Sequence, residues 1–307
     1  MKVIIPRGCR SDYPLSDPII KAMESDDFFR VFTINLHPAN FVGSFDIMDH
    51  FCKTVKPDLV MIIGDRVEMA GAANAVFLNN IPICHLGAGI INDPISCFDD
   101  IFRHNITSMA EIALCEDYTS AKKVAELWYS INKIKEFPEE GIYEDRIFSR
   151  CNIHNVGNPY ADGLDTIDLS LVPDEPYNLV LINPTTLKPD ILFDNIPKDL
   201  LNIKTIKIGS NPDSNPFSNW KITLKHNNLI QYDNLPRPQF LGLLSKCERY
   251  ISNSSNVYYE APYYLKPEQI IHIGRRNMNR STPTNLEGGS TVKIIEILKK
   301  WWNDKND

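Results

Sequence analysis

Asp58–Leu59–Val60–Met61–Ile62–Ile63 is an apolar run, broken only at its first residue, that stops at Gly64, Asp65 and Arg66. A run of this length without polar alternation predicts a strand covered on both faces, as in the middle of a parallel sheet. Open parallel sheets bind ligands in the crevice beyond the carboxyl ends of their strands, so the following turn is where chemistry is expected. Gly64 admits a tight turn or the close approach of a ligand. Asp65 and Arg66 then stand at the mouth of the strand, either as a surface ion pair or as functional groups.

The same grammar recurs along the chain. Strands are predicted at residues 3–5, 29–34, 81–85 and 153–156, and helices at 19–24, 47–55, 70–78, 98–114 and 119–128. Helix 98–114 carries Phe98, Ile101, Phe102, Ile106 and Met109 on one side, and Thr119 or Ser120 is the expected cap of the next. An acidic, two-proline stretch at 168–177 separates a second series. Its strands are predicted at 179–182, 205–208, 222–224, 229–232, 250–252 and 270–273, with a helix through 240–244. Residues 291–302 read as an amphipathic helix with Val292, Ile295, Leu298 and Trp302 along its apolar side. The loops at 215–219 and 277–285 have the composition of mobile surface segments, the second suited to closing over a ligand. Strands alternating with helices at this spacing define an α/β chain of parallel sheet units.

With 307 residues the chain can bury two cores. A net charge of -7 argues against non-specific nucleic-acid binding, while leaving room for an anionic ligand held by a few local arginines. Seven scattered cysteines show no zinc or redox spacing, and their odd number suits a reducing cytosol. The N-terminal residues lack the length of a signal peptide and no segment approaches a membrane span. A cytoplasmic protein without membrane or nucleic-acid partners is therefore expected.

Several clusters carry chemistry. In Gly8–Cys9–Arg10–Ser11–Asp12, Arg10 is suited to fork onto phosphate oxygens, or the segment is an ordinary surface loop. His85–Leu86–Gly87–Ala88–Gly89 follows a strand; His85 is either a general base or a polar group satisfied by a neighbouring loop. Asp99 with Arg103 and Asp100 with His104 share helix faces at i,i+4, as stabilising pairs or as a carboxylate kept ionised beside a cation. Asn253–Ser254–Ser255–Asn256 leads into a helix start, where backbone N–H groups and serine hydroxyls make an anion site or an ordinary cap. Glu260, just beyond, suits paired ribose hydroxyls. Ile273–Gly274–Arg275–Arg276 and Arg280 add cations. Together the second half has the makings of a nucleoside-diphosphate site. The dinucleotide, P-loop and nucleophile-elbow motifs are absent.

Taken in order, Gly8–Cys9–Arg10–Ser11–Asp12–Tyr13, Gly64–Asp65–Arg66, Asp99–Asp100–Ile101–Phe102–Arg103–His104–Asn105–Ile106–Thr107, Val156–Gly157–Asn158–Pro159, Asn253–Ser254–Ser255 with Glu260–Ala261–Pro262, and Ile273–Gly274–Arg275–Arg276 resemble the UDP-N-acetylglucosamine 2-epimerase family. The likeness is to its hydrolysing, sialic-acid-pathway branch, in a divergent and shortened form. The resemblance implies two Rossmann-like domains facing across a cleft, the glycosyltransferase-B arrangement. The N-terminal domain would span 1–167, the linker 168–177 and the nucleotide-binding domain 178–290, with helix 291–307 packing back on the first domain. It implies a UDP-linked N-acetylamino sugar as ligand, no cofactor or metal, and a homodimer.

The implied reaction is proton abstraction at C2 with anti elimination of UDP. Water is then added in the hydrolysing branch, and UDP is re-added in the other. Carried over by motif, Asp65 and Asp100 are the acids near the sugar, with Asp99 and His85 as further catalytic candidates. Arg10 and Arg276 would hold the diphosphate, with Ser254 and Ser255 beside it and Glu260 on the ribose; Arg280 is a further nucleotide-binding candidate from its place near the strand end. The departures are Gly87 and Ile90, where family members carry an acid, and Asn183, where the hydrolysing branch has a histidine. Asp93 would compensate only if its loop moved. These losses keep open a related nucleotide-sugar hydrolase or glycosyltransferase, or an inactive nucleotide-sugar-binding protein.

Overall fold

The computed structural model describes residues 1–8, 12–37, 40–91, 99–135, 151–183, 199–209, 228–274, 276–278, 280 and 288–306. Arg10, Asp93, Arg275, strand 222–224, loop 215–219 and most of loop 277–285 lie outside them, as do residues 184–187 after Asn183. The chain forms two compact units: Met1–Ile91 with Asp99–Asp162 and Glu287–Asp307, and Gly163–Leu286.

The first unit is a parallel sheet of six strands in the order β2-β1-β3-β4-β5-β6, formed by β1 Lys2–Arg7, β2 Arg30–Asn35, β3 Leu59–Ile63, β4 Ile83–Leu86, β5 Ile112–Cys115 and β6 Ile153–Asn155. Strands β3, β4 and β5 are buried at every residue, which is what apolar runs covered on both faces require. The sheet grows one way from β1 to β2 and the other way from β1 to β3, so its switch point lies at the carboxyl ends of β1 and β3.

Helices α1 Asp12–Glu24, α2 Phe41–Val55, α3 Val67–Leu78, α4 Asp99–Met109 and α5 Tyr118–Ser130 connect the strands. Gly71 of α3 lets the backbone of Phe41 in α2 pack directly against it; a Cβ would overlap the Phe41 carbonyl.

Three details differ from the sequence reading. The apolar stretch 98–114 is not one helix: α4 ends at Met109, and Ile112–Cys115 is the strand β5. Four apolar residues cannot be told from a helix turn by periodicity alone. Ile101 is exposed, and α4 buries Ile106 with Phe102 and Met109 packed beside it. Asp117, rather than Thr119 or Ser120, caps α5 by accepting the Ser120 N–H at 2.7 Å.

The second unit is a five-stranded parallel sheet ordered β11-β10-β7-β8-β9, from β7 Tyr177–Leu181, β8 Lys204–Ile208, β9 Leu229–Tyr232, β10 Arg249–Ser252 and β11 Ile270–His272. Helix α6 Arg237–Lys246 joins β9 to β10, and two short helical turns, α7 Asn256–Tyr259 and α8 Ala261–Tyr264, follow β10. Its switch point lies between β7 and β10, at Asn183 and Asn253.

The final helix, α9 Ser290–Asn306, belongs to the first unit. It buries Ile294, Leu298 and Trp301 in the cluster that holds Val3, Ile5, Ile19 and Met23, while Val292 of the predicted stripe is exposed. Asp162 anchors the start of this helix, accepting from Gly289 N at 2.6 Å and from Thr291 N at 2.8 Å. Among the described residues, no helix is long and apolar enough to cross a membrane.

Candidate active site

At the carboxyl edge of the first sheet, the turn after β3 brings Gly64 to a φ of 77° and delivers Asp65 and Arg66 to the switch point. The two charges do not pair with each other. Arg66 donates from Nε to Glu68 Oε1 at 2.5 Å, and Glu68 is buried in the first turn of α3. The Glu68 side chain lies so close to Gly8, at the end of β1, that a Cβ there would overlap it. Asp12, the first residue of α1, accepts the Gly8 N–H at 2.6 Å.

Asp65 pairs with Arg103, whose side chain is only 3% exposed. The same guanidinium donates from Nη1 to the Gly87 carbonyl at 2.7 Å and lies 4.0 Å from Asp100 Oδ1. Asp100 is itself buried, and Asp99 opens the helix half-buried. Spacing alone points Arg103 at Asp99; the structure turns it onto Asp65 and, at i,i+3, Asp100. Two carboxylates thus meet one guanidinium and form a paired carboxylate group next to a glycine turn at a sheet edge. Such a group can accept a proton from a carbon acid placed beside it.

His85, read from the sequence as either a general base or a polar group satisfied by a neighbouring loop, lies inside the protein. It has no exposed surface. Its Nε2 is 2.8 Å from the Gly64 carbonyl and its Nδ1 is 2.9 Å from the Thr107 hydroxyl. Burial pulls its pKa down to about 4, opposed by the Gly64 hydrogen bond and aided by His104. With both nitrogens engaged inside the protein, the ring has none to present to a substrate. Ile90 is buried, and Gly87 sits at a φ of 86° with its carbonyl held by Arg103.

At the switch point of the second unit, Asn253 works as a staple. Its side chain accepts from Asn183 N and donates to Asn183 O, both at 2.7 Å. Asn277 Nδ2 in turn donates to Asn253 O at 2.8 Å. These three asparagines are buried. Ser252 Oγ donates to Leu181 O at 2.5 Å and accepts from Ser254 N at 3.0 Å.

Ser254 and Ser255 lead into α7, and their carbonyls accept from Val257 N and Tyr258 N. Glu260 is buried and paired with Arg237 at 3.0 Å. Its pKa is raised by burial, against the lowering effects of Arg237 and of an Asn256 hydrogen bond. Arg280 donates to the Tyr259 hydroxyl at 2.7 Å, its guanidinium 5.2 Å from the ring centroid. The Arg276 carbonyl accepts from His272 Nε2 at 2.8 Å. Among the described residues, no group of three or more His, Cys, Asp or Glu side chains is placed to hold a metal ion.

Sequence reasoning treats Arg103 only as a helix partner and passes over Glu68, Thr107, Arg237 and the carboxamide of Asn253. Glu68 is findable, since it lies in the first helical turn after the Gly64–Asp65–Arg66 strand end. Arg237 gives no local signal; its partner is 23 residues away.

Two parallel α/β units, each with polar groups gathered at a switch point, define a protein of the Rossmann-like, glycosyltransferase-B-like class. A sequence model of the UDP-N-acetylglucosamine 2-epimerase family matches residues 46–306, and the chain belongs to that family. It is 25% identical to the hydrolysing GDP/UDP-N,N'-diacetylbacillosamine 2-epimerase of Campylobacter jejuni over 265 residues, 80% of this chain and 64% of that protein. With the UDP-N-acetylglucosamine 2-epimerase of Neisseria meningitidis serogroup B it shares 24% identity over 242 residues, 74% of this chain and 58% of that protein. The chain thus spans about three fifths of the length of the curated relatives it matches.

Among solved structures, it resembles the Methanocaldococcus jannaschii UDP-GlcNAc 2-epimerase in complex with UDP-GlcNAc and UDP. The TM-score is 0.69 at 15% identity, covering 98% of this chain and 100% of that one. At that identity the likeness establishes the fold.

Proposed function

We propose that this protein is a UDP-N-acetylamino-sugar 2-epimerase that abstracts the C2 proton and eliminates UDP, with water then added at C1 and a proton returned to C2 of the resulting glycal. The observation that carries the reading is the buried cluster of Asp65, Asp100 and Arg103 at the carboxyl edge of the first sheet. Asp65 is the base at C2, and Arg103 sets its orientation. Asp100 is the second acid of the reaction, with Asp99 beside it. Membership of the family and the names of the Campylobacter and Neisseria relatives support the substrate class.

In the second unit, Ser254 and Ser255 serve the diphosphate, together with Arg276 and Arg280. Glu260 accepts from the ribose. Oriented N–H groups and arginines there stabilise charge developing on the departing UDP. The same reading makes the protein a cytoplasmic homodimer.

A second reading has its own observation. Asn183 stands where the hydrolysing branch has a histidine, its backbone is stapled by Asn253, and a carboxamide cannot exchange a proton near neutral pH. That favours a nucleotide-sugar hydrolase or transferase, or a binding protein.

One experiment separates them. The protein is incubated in deuterated water with a panel of UDP-N-acetylamino sugars, and proton NMR follows C1 and C2. UDP release with deuterium at C2 is the expected result. Release without deuterium supports simple hydrolysis or transfer, and UDP binding without turnover of any sugar supports the binding protein.

A further inference from the structure

Asp65 and Arg103 belong to a closed circuit of contacts. The Asp65 carboxylate pairs with the Arg103 guanidinium. The Arg103 backbone carbonyl, inside α4, lies 2.8 Å from Thr107 Oγ1, one turn on. Thr107 Oγ1 is 2.9 Å from His85 Nδ1, and His85 Nε2 is 2.8 Å from the carbonyl of Gly64, whose next residue is Asp65. Thr107 and His85 have no exposed surface. Trp128 Nε1, also buried, donates to the Thr107 carbonyl at 2.8 Å and fixes that turn of the helix from a third side.

The hydrogens can be assigned from chemistry. A carbonyl only accepts, so His85 Nε2 carries a hydrogen and donates it to Gly64. Thr107 has one hydroxyl hydrogen for two neighbours. With a neutral ring, Nδ1 bears none and the hydroxyl turns towards it. The Arg103 carbonyl then keeps its helical partner, the N–H four residues on. With a charged ring, Nδ1 donates to Oγ1 and the hydroxyl turns to Arg103. Burial selects the neutral ring.

We propose that His85 is a positioning residue, locked as its Nε2–H tautomer, which sets the Asp65–Arg103 pair through the Gly64 carbonyl on one side and the Thr107 hydroxyl on the other. The ring ties the end of β3, which leads to the Asp65 carboxylate, to the helix that carries the Arg103 guanidinium. It therefore fixes their separation without touching substrate. Catalysis is sensitive to small misplacements of an acting group, so loosening either tie lowers turnover more than binding.

The test has a spectroscopic arm and a kinetic arm. In the full chain with 15N-labelled histidine, the His85 ring is expected to show the Nε2–H tautomer and to stay neutral from pH 8 to pH 5. An Nδ1–H tautomer, or titration near pH 6.5, overturns the proposal. In Thr107→Val, which removes one tie at nearly constant volume, the 13C carboxyl signal of Asp65 is expected to shift, with recovery in Thr107→Ser. An unmoved Asp65 signal overturns it.

The kinetic arm rests on the proposed epimerase chemistry; the spectroscopic arm does not. Thr107→Val is expected to lower kcat for UDP release by about tenfold, with KM changed by less than about twofold and the limbs of the pH profile unmoved. Thr107→Ser and His85→Gln, which keep a donor and an acceptor in reach, are expected to retain part of the activity with the same pH limbs. Loss of one limb in His85→Gln would mark a proton-transferring group and overturn the proposal, as would an unchanged kcat in Thr107→Val. If the wild-type chain releases no UDP from any sugar, the proposed function fails and the NMR signals alone decide the role of His85.

Discussion

Replacing Arg103 by methionine keeps much of the side-chain volume and removes a cation that touches two acids. The side chains of Arg103, Asp100 and Asp65 are 3%, 6% and 15% exposed. Water therefore does little to compensate the carboxylates left behind. Breaking a buried ion pair by deleting one partner typically costs about 3–5 kcal/mol, because the surviving charge is stranded. The Gly87 carbonyl also loses its 2.7 Å donor, a cost of about 1–3 kcal/mol when no replacement is found. The two terms overlap, so the expected loss is about 3–5 kcal/mol, a large share of the ~5–15 kcal/mol that stabilises an ordinary domain.

Urea unfolding followed by tryptophan fluorescence reads it as a midpoint lowered by about 1–2 M for a slope of about 3 kcal/mol per M. The double variant Asp65→Asn, Arg103→Met strands one charge fewer and is expected to recover part of the loss. Stranded carboxylates favour protonation, so their folded-state affinity for protons exceeds that of the unfolded chain. The deficit of Arg103→Met should therefore grow as pH rises and shrink as pH falls. A single variant within about 0.5 kcal/mol of wild type, or a double variant less stable than the single, refutes the buried cluster of two carboxylates around one guanidinium.

Three further outcomes are expected. His85 and His154 are held neutral by burial, each with a folded pKa of about 4 against the usual 6.5. The unfolded chain takes up their protons first, so stability is lost as pH falls from about 6.5 to about 4. His154→Gln should flatten that slope in urea titrations, and an unaltered slope would count against it. Glu260 has the opposite sign. Its folded pKa is raised above 4.5, so its contribution to stability falls as pH climbs from there through the folded value, and a Glu260→Gln chain should lose that dependence. In the second unit, Asn253→Ala removes the side-chain partner of the buried N–H and C=O of Asn183, a cost of about 1–3 kcal/mol for each group that finds no replacement. Hydrogen exchange of the Asn183 amide should accelerate, and unchanged protection would rule out the staple.

Much of the architecture is written locally. Leu59–Ile63 has to be a strand covered on both faces because it offers no polar face to water, and Gly64 supplies the turn because its φ is positive. The parallel α/β alternation and the gathering of Asp65 and Asp100 near one sheet edge follow from strand order and from motifs of a few residues each. The short apolar run Ile112–Cys115 reads as helix because four residues carry too little periodicity to separate the two states; only its neighbours β4 and β6 decide it.

The roles within the site are set by tertiary structure. Arg103 has carboxylates at i−4 and i−3, and the sheet places a third, Asp65, across from it. Glu260 finds Arg237 over a separation of 23 residues. His85 looks like a base in the sequence, yet the fold closes protein around both its nitrogens and turns it into a tie. Sequence thus determined which chemical groups reach the strand ends. Burial and long-range hydrogen bonds, which depend on every element at once, decided which of those groups remain available to react.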